Sequence, residues 1–276
     1  MIDLHTHTNA SDGELSPEAL LARAIDNGVS QLAITDHDTI AGYLSVRNQP
    51  VAQQLQLISG VEISTTWRGI GIHVVGLGFD VAHDAITACL QQQTQARAER
   101  ATMILAKLAK ANMPISLAEV EQLTQGRQIG RPHIAAVMVA KGYVNNSNQA
   151  FKKYLGAGKI GDIKSGWVTL AAAVEAITAS GGVAVIAHPD HYQMTRTKLM
   201  ALFDEFKADG GQAIEVISGR QPRSITEKYA HIAREKGFYA SLGSDFHRPL
   251  SYGCEVGKLS ALPSDLMPVW ALFAGN

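Results

Sequence analysis

The chain has 276 residues, 46% hydrophobic and 18% charged, with a formal net charge of −1 when histidine is neutral. Such a composition excludes disorder and suits one large α/β domain, or one domain carrying an insertion. The balanced charge excludes a global basic surface for long duplex nucleic acid, but leaves room for a small nucleotide or a short RNA in a locally basic cleft.

The two cysteines, Cys89 and Cys254, stand far apart and form no C-x-x-C pair, as expected of reduced thiols in a cytoplasmic protein. No basic stretch followed by an apolar run opens the sequence, and no apolar run could span a bilayer, so no membrane partner is expected.

In chain order, short apolar or β-branched runs bounded by Gly, Asp or Ser predict strands over 31–35, 57–64, 70–76, 183–188, 213–217 and 239–241. Helical patterns alternate with them. Ser16, Pro17 and Glu18 supply a cap, a first-position proline and an early acid for a helix over 19–27 that Gly28 ends. Further helices are expected over 170–180, ended by Gly181 and Gly182, and over 222–236, ended by Gly237. This alternation implies a mainly parallel sheet, open or closed into a barrel. From 82 to 157 it breaks down. Helices are expected over 85–112, 116–123, 132–141 and 149–154, with no strand, and Lys152, Lys153 and Lys159 add local positive charge. The expected organisation is an α/β barrel from 1–81 and 158–276, with an inserted helical subdomain over 82–157.

The histidines and acids fall at the ends of these strands. His5 and His7 follow the first apolar segment; residues two apart on a strand share a face, so both rings can address one ion. Asp12 sits in a Ser-Asp-Gly turn. Asp36 and His37 end the second strand, Glu62 ends the third and His73 lies on the next. His188 ends the run from 183, and Asp245 and His247 close the last strand. The carboxyl ends of parallel strands converge on one rim. Six of the ten histidines and three acids are therefore expected around one pocket. Nine candidate ligands, His5, His7, Asp12, His37, Glu62, His73, His188, Asp245 and His247, exceed what one ion needs. Imidazole with carboxylate and no thiolate suits manganese, iron or zinc, so two or three divalent ions are expected. Clustered ions of this kind suit phosphate ester hydrolysis.

The motifs Asp3-Leu4-His5-Thr6-His7, Thr35-Asp36-His37-Asp38, Gly60-Val61-Glu62, Ala187-His188-Pro189 and Ser244-Asp245-Phe246-His247 resemble, in order, those of the polymerase-and-histidinol-phosphatase (PHP) family. The resemblance implies a distorted (β/α)7 barrel with a trinuclear centre. On that analogy His5, His7, Glu62 and Asp245 hold one ion, Glu62, His73 and His188 a second, and Asp12, His37 and His247 a third. Arg97-Ala98-Glu99-Arg100, Gly130-Arg131-Pro132-His133, Phe151-Lys152-Lys153-Tyr154-Leu155 and the run ending at His188 are similar to one branch, the 3′,5′-nucleoside bisphosphate phosphatases and exonucleases of the ribonuclease AM type. This implies removal of a 3′-phosphate from nucleoside 3′,5′-bisphosphates, and 5′-to-3′ trimming of short RNA.

Arg97 and Arg100, three apart on one helix face, and Arg131, at the start of another helix, are candidates to grip phosphate. His133 is a candidate phosphate donor, and either His133 or His191 a proton donor to the leaving oxygen. Asp36 is a candidate support for a ligand imidazole. Relatives in this branch often carry Gly-Arg after Ala-His-Pro, where this chain has Asp190-His191. Rival expectations are another phosphatase of the family acting on histidinol phosphate, an amidohydrolase-like metallohydrolase, and a non-catalytic regulatory module.

Overall fold

The computed structural model describes residues 1–163, 166–249 and 254–273. Helix α1 (Pro17–Asp26) starts where expected: Ser16 Oγ accepts the Ala19 N–H and Pro17 occupies the first turn. Its buried face, with Leu20, Leu21 and Ala24, packs on Leu32 and Ile34 of β2 (Gln31–Ile34). Beyond β1 (Ile2–Asp3), the strands are β3 (Gln56–Trp67), β4 (Ile70–Leu77), β5 (Val168–Thr169), β6 (Val183–Ile186), β7 (Ala213–Ser218) and β8 (Tyr239–Gly243).

The sheet runs β1-β2-β3-β4-β6-β7-β8, with β5 paired to β3. All neighbours are parallel except β4, which is antiparallel to both β3 and β6. The sheet is thus mainly parallel, as expected, with one antiparallel strand. Arg68 and Gly69, both at positive φ, fold β3 straight back into β4 in a tight hairpin, so no crossover helix intervenes. The first and last strands then meet. Leu4 N–H donates to Leu242 O (3.2 Å), Asp245 N–H to His5 O (2.8 Å) and His7 N–H to Phe246 O (2.9 Å). This seam nearly closes a distorted seven-stranded barrel, and Leu4, just past β1, shares one buried cluster with Ala33, Ile58, Val75, Val185 and Ala213, from five strands.

Helices α7 (Leu170–Ala179), α8 (Arg196–Ala208) and α9 (Arg223–Lys236) contribute Val174, Phe203, Phe206 and Tyr229 to the largest core. Helix α8 and the short α2 (Ala41–Val46) were not anticipated. Capped by Thr195, α8 buries an apolar stripe of Leu199, Leu202, Phe203 and Phe206 and exposes charged residues on its other side.

Contacts divide the chain into two units, Met1–Leu90 with Val168–Asn276, and Gln91–Trp167. The long α3 (Asp84–Lys110) begins in the first unit, where Ile86, Cys89 and Leu90 join the main core. The second unit contains the rest of α3, α4 (Leu117–Thr124), α5 (Arg131–Ala140) and α6 (Ser147–Ala150), which runs on into a wider turn over Phe151–Leu155. It has its own core of Ile104, Leu108, Ile134, Met138, Leu155 and Ile163. Among the described residues no helix is long and apolar enough to cross a membrane.

The barrel seam depends on Gly243, where an added Cβ would lie 2.1 Å from His5 Cβ and 2.8 Å from His5 N. Gly243→Ala is expected to cost about 1–3 kcal/mol by overpacking. A urea melt of the variant against the parent measures this.

Candidate metal centre

Three strand ends share a backbone feature that pure periodicity cannot supply. Asp38, His188 and Asp245, just past β2, β6 and β8, have positive φ values of 54°, 27° and 52°. Non-glycine residues seldom adopt this conformation, Asp and His more readily than most. Here the chain leaves each strand abruptly, and the side chains around these turns point at one place.

That place is the carboxylate of Glu62, which is 0% exposed. Its Oε1 lies 2.8 Å from His73 Nδ1 and 2.9 Å from His188 Nε2. Its Oε2 lies 2.8 Å from His37 Nδ1, 3.3 Å from His7 Nε2 and 3.4 Å from His5 Nε2. Asp245 Oδ1 faces His7 Nε2 (3.2 Å) and His5 Nε2 (3.5 Å). Asp12 faces His247 Nε2 (3.3 Å) and His37 Nε2 (3.8 Å). All nine candidate ligands thus come together.

Four sets have ligand atoms near enough to share a cation: His7, Asp12, His37 and His247; His5, His7 and Asp245; His37, Glu62 and His73; and His188, His191 and Asp245. These overlap the sets implied by the resemblance without coinciding with them, and they add His191. The donors fit divalent ions. His5 Nε2 and His7 Nε2 are 3.1 Å apart, so two like ring nitrogens turn to one point. Buried His7 Nδ1 and His188 Nδ1 have no hydrogen-bond partner. Hard oxygen donors mixed with imidazole suit Zn²⁺, Mn²⁺ or Fe²⁺.

Sequence reasoning missed Glu215, a buried residue of β7. Its Oε1 lies 2.6 Å from His5 Nδ1, and its Oε2 accepts the His188 N–H at 2.6 Å. A proton on His5 Nδ1 leaves the Nε2 lone pair for the cluster, as when a carboxylate fixes the tautomer of a metal-ligating histidine. The clue in the sequence was a single acid inside the otherwise apolar run 213–217. Asp36 behaves differently from expectation. Its oxygens accept from Thr8 N–H (2.8 Å), Thr8 Oγ1 (2.7 Å) and Ser11 Oγ (2.7 Å), and from no imidazole. It braces the loop between His7 and Asp12 instead of orienting a ring.

Charge in the cluster is uneven. Burial resists ionisation of Glu62, Asp12 and Asp245, yet the surrounding imidazoles hold all three well below the ordinary carboxylate range. Burial and the neighbours His247 and His37 lower His7 to about 3. Burial also opposes a charge on His247, but Asp12 and Asp245 push its pKa up to about 10. His5 likewise stays well above the usual imidazole value because Glu215, Glu62 and Asp245 outweigh its burial. Burial and His188 lower the pKa of His191, whose ring stacks on His188 at 4.9 Å. A ring so depressed is a poor proton donor at neutral pH.

The other predicted residues lie in the helical unit. Arg97 and Arg100, one turn apart on α3, each set the guanidinium 5.2 Å from the Trp167 ring centre, and Arg100 Nε donates to Ile163 O (2.6 Å). Arg131 lies over Phe151 and donates to Leu155 O (2.9 Å). His133 Nδ1 accepts the Gly130 N–H at 2.9 Å, which leaves the ring proton of the neutral form on Nε2.

The PHP domain model matches residues 3–147, just over half of the chain. The chain belongs to the PHP family. A 5′-3′ exoribonuclease of Haemophilus influenzae is 44% identical over 98% of both chains. A 3′,5′-nucleoside bisphosphate phosphatase of Chromobacterium violaceum is 38% identical over 98% of this chain and 95% of that one. Among solved structures, a Chromobacterium violaceum protein described as an amidohydrolase with bound sulfate superposes with a TM-score of 0.91 at 37% identity, covering 99% and 95% of the two chains. A putative metal-dependent phosphoesterase of Bifidobacterium adolescentis superposes at 0.80 and 25% identity, covering 98% and 96%. This PHP protein is a metal-dependent phosphoesterase, and its His, Asp and Glu cluster is able to hold divalent ions.

Two outcomes are expected. Glu215→Gln should fold and lose about 10–100-fold in divalent-ion affinity, read by chelator competition, because the amide cannot accept from both His5 and the His188 N–H. Cation binding should also release protons. His247 and His5 hold protons at pH 7 in the ion-free protein, and a bound cation displaces them. Affinity should therefore rise with pH between 6 and 8, by about tenfold per unit for each proton released. Calorimetry in buffers of different ionisation enthalpy counts the protons.

Proposed function

We propose that the chain removes the 3′-phosphate of nucleoside 3′,5′-bisphosphates and trims short 5′-phosphorylated RNA in the 5′-to-3′ direction, acting in the cytoplasm. The convergence of five imidazoles on the buried Glu62 carboxylate carries this reading, since a centre so rich in ligands suits phosphoester cleavage. The exonuclease and bisphosphate phosphatase names of similar proteins support the substrate class. His5, His7, Asp12, His37, Glu62, His73, His188, Asp245 and His247 are the proposed ligands of two or three ions, with manganese the proposed metal. Ions bound there neutralise the phosphoryl oxygens and lower the pKa of water.

The chain's own groups then have separate tasks. Glu215 holds the His5 tautomer and the His188 backbone. Arg97, Arg100 and Arg131 are proposed to grip the non-reacting phosphate, as planar guanidinium groups do with two parallel bonds. His133, with its proton on Nε2, is proposed to donate to a phosphate oxygen. His191 is proposed to meet the substrate as a neutral hydrogen-bonding ring, in accord with its lowered pKa. An amidohydrolase-like reaction leaves the ligand set around Asp12 without a task.

With manganese, a panel of adenosine 3′,5′-bisphosphate, histidinol phosphate, 5′-phosphorylated short RNA and a plain mononucleotide tests the substrate class. Release of phosphate from the bisphosphate should dominate; preference for histidinol phosphate overturns the reading. Glu62→Gln should fold and lose more turnover than the roughly 100-fold of an outer-sphere change. Arg100→Ala and Arg131→Ala should raise KM about tenfold or more on doubly phosphorylated substrates, the usual worth of a charge-assisted bond.

A further inference from the structure

The ladder between β4 and β6 breaks off where two of the candidate ligands begin. Its last paired positions are Val74 and Ile186, and the next facing pair is His73 and Ala187. In an antiparallel ladder, alternate facing pairs exchange two backbone bonds. Here one of the two is made, Ala187 N–H to His73 O at 3.1 Å. In place of the other stands the Tyr192 hydroxyl, which accepts the His73 N–H at 3.0 Å and donates to Ala187 O at 2.8 Å. Its single proton goes to Ala187 O, since His73 O lies farther off at 3.4 Å and already accepts from Ala187.

A side-chain oxygen is thus inserted into the ladder as a wedge. A direct bond brings nitrogen and oxygen to about 2.9 Å, whereas a hydroxyl bonded to both keeps them farther apart. The strands part at a telling place. His73 stands on one side, and Ala187 leads into His188 on the other. Both rings address the same oxygen, Glu62 Oε1, at 2.8 Å and 2.9 Å.

The wedge is firmly held. Tyr192 ends the turn Pro189–Tyr192, which is bounded by His188 and Gln193 at φ 27° and 47°. Within the turn the His191 N–H donates to His188 O (2.9 Å), and Asp190 accepts from Lys228 (3.0 Å) and Tyr229 (3.2 Å) of α9. The Tyr192 ring packs against the main core and meets the His188 ring edge-on, centres 5.6 Å apart. Burial raises its pKa well above the usual phenol value, so the hydroxyl keeps the proton it donates.

We infer that Tyr192 is a positioning residue for the metal centre: its hydroxyl holds β4 and β6 apart and so sets the spacing of the His73 and His188 rings on the Glu62 carboxylate. The inference rests on the reading of the cluster as a cation site and adds to it the group that fixes the gap between two of its strands.

Tyr192→Phe keeps the ring and its packing and removes only the wedge. His73 N–H and Ala187 O should then meet directly, at about 2.9 Å. A crystal structure of the ion-free variant should show β4 and β6 drawn together and the two rings no longer sharing Glu62 Oε1. Because a direct backbone bond replaces the bridged one, the melting temperature should hold. Manganese affinity, read by chelator competition, should nonetheless fall about 10–100-fold at one step of the titration, the usual effect of losing a group that orients a ligand. The set His7, Asp12, His37 and His247 contains neither ring and should keep its affinity. Tyr229→Phe, which takes another phenol from the same turn while Lys228 still holds Asp190, is the control and should leave ion binding in place. A ladder that stays open in Tyr192→Phe overturns the inference, as does unchanged ion affinity once it has closed, or an equal loss with Tyr229→Phe. Should the parent protein take up no manganese, the cation reading fails by itself, and the ladder and ring spacing of the ion-free variant still decide the wedge.

Discussion

A carboxylate with no exposed surface is costly to ionise, because water no longer solvates the charge. Glu62 is ionised nonetheless, since imidazoles from five positions between His5 and His188 surround its two oxygens. The rings have the converse problem. Packed as closely as 4.1 Å, between His7 and His247, they cannot all carry protons, and His7 is driven toward neutrality while His247 and His5 are held charged by adjacent acids. Carboxylates and imidazoles therefore depend on each other for the charge states that make the pocket fit for cations.

The barrel exists, in this sense, to bring these groups together. Its strands supply position and the abrupt turns after β2, β6 and β8 supply aim. Supporting residues complete the arrangement: Asp36 ties down the loop between His7 and Asp12, Tyr192 accepts the His73 N–H at 3.0 Å and donates to Ala187 O at 2.8 Å, and Glu215 joins the His5 ring to the His188 backbone. Each acts on backbone or ring orientation and leaves the polar face of the cluster open.

Much of this was legible in the sequence because strand periodicity and strand ends are local properties. His5 and His7 two apart, Glu62 in a β-branched run and Asp245 with His247 all announced themselves. What was not legible depends on pairing. The direction of β4 is set by a two-residue hairpin that the run 70–76 does not encode by itself. Helix α8 has an apolar stripe too narrow to stand out beside its charges. The task of Asp36 follows from a neighbour 28 positions away in sequence, Thr8, and that of Glu215 from His5, 210 positions away. The helical stretch reads in the sequence as a break in alternation, and in the structure the first turns of α3 share the barrel's core.

The seam between the first and last strands has a kinetic side. Asp3 accepts the Ser244 N–H across 241 positions and the Gly257 N–H across 254, so the barrel shuts through some of the most distant contacts in the chain. Contacts of such long range form slowly because loop entropy opposes them. The histidines nearest the amino terminus have their complete set of companions only with Asp245 and His247 in place. The pocket is complete only once the seam is closed, and an ion held there would tie together both extremes of the fold.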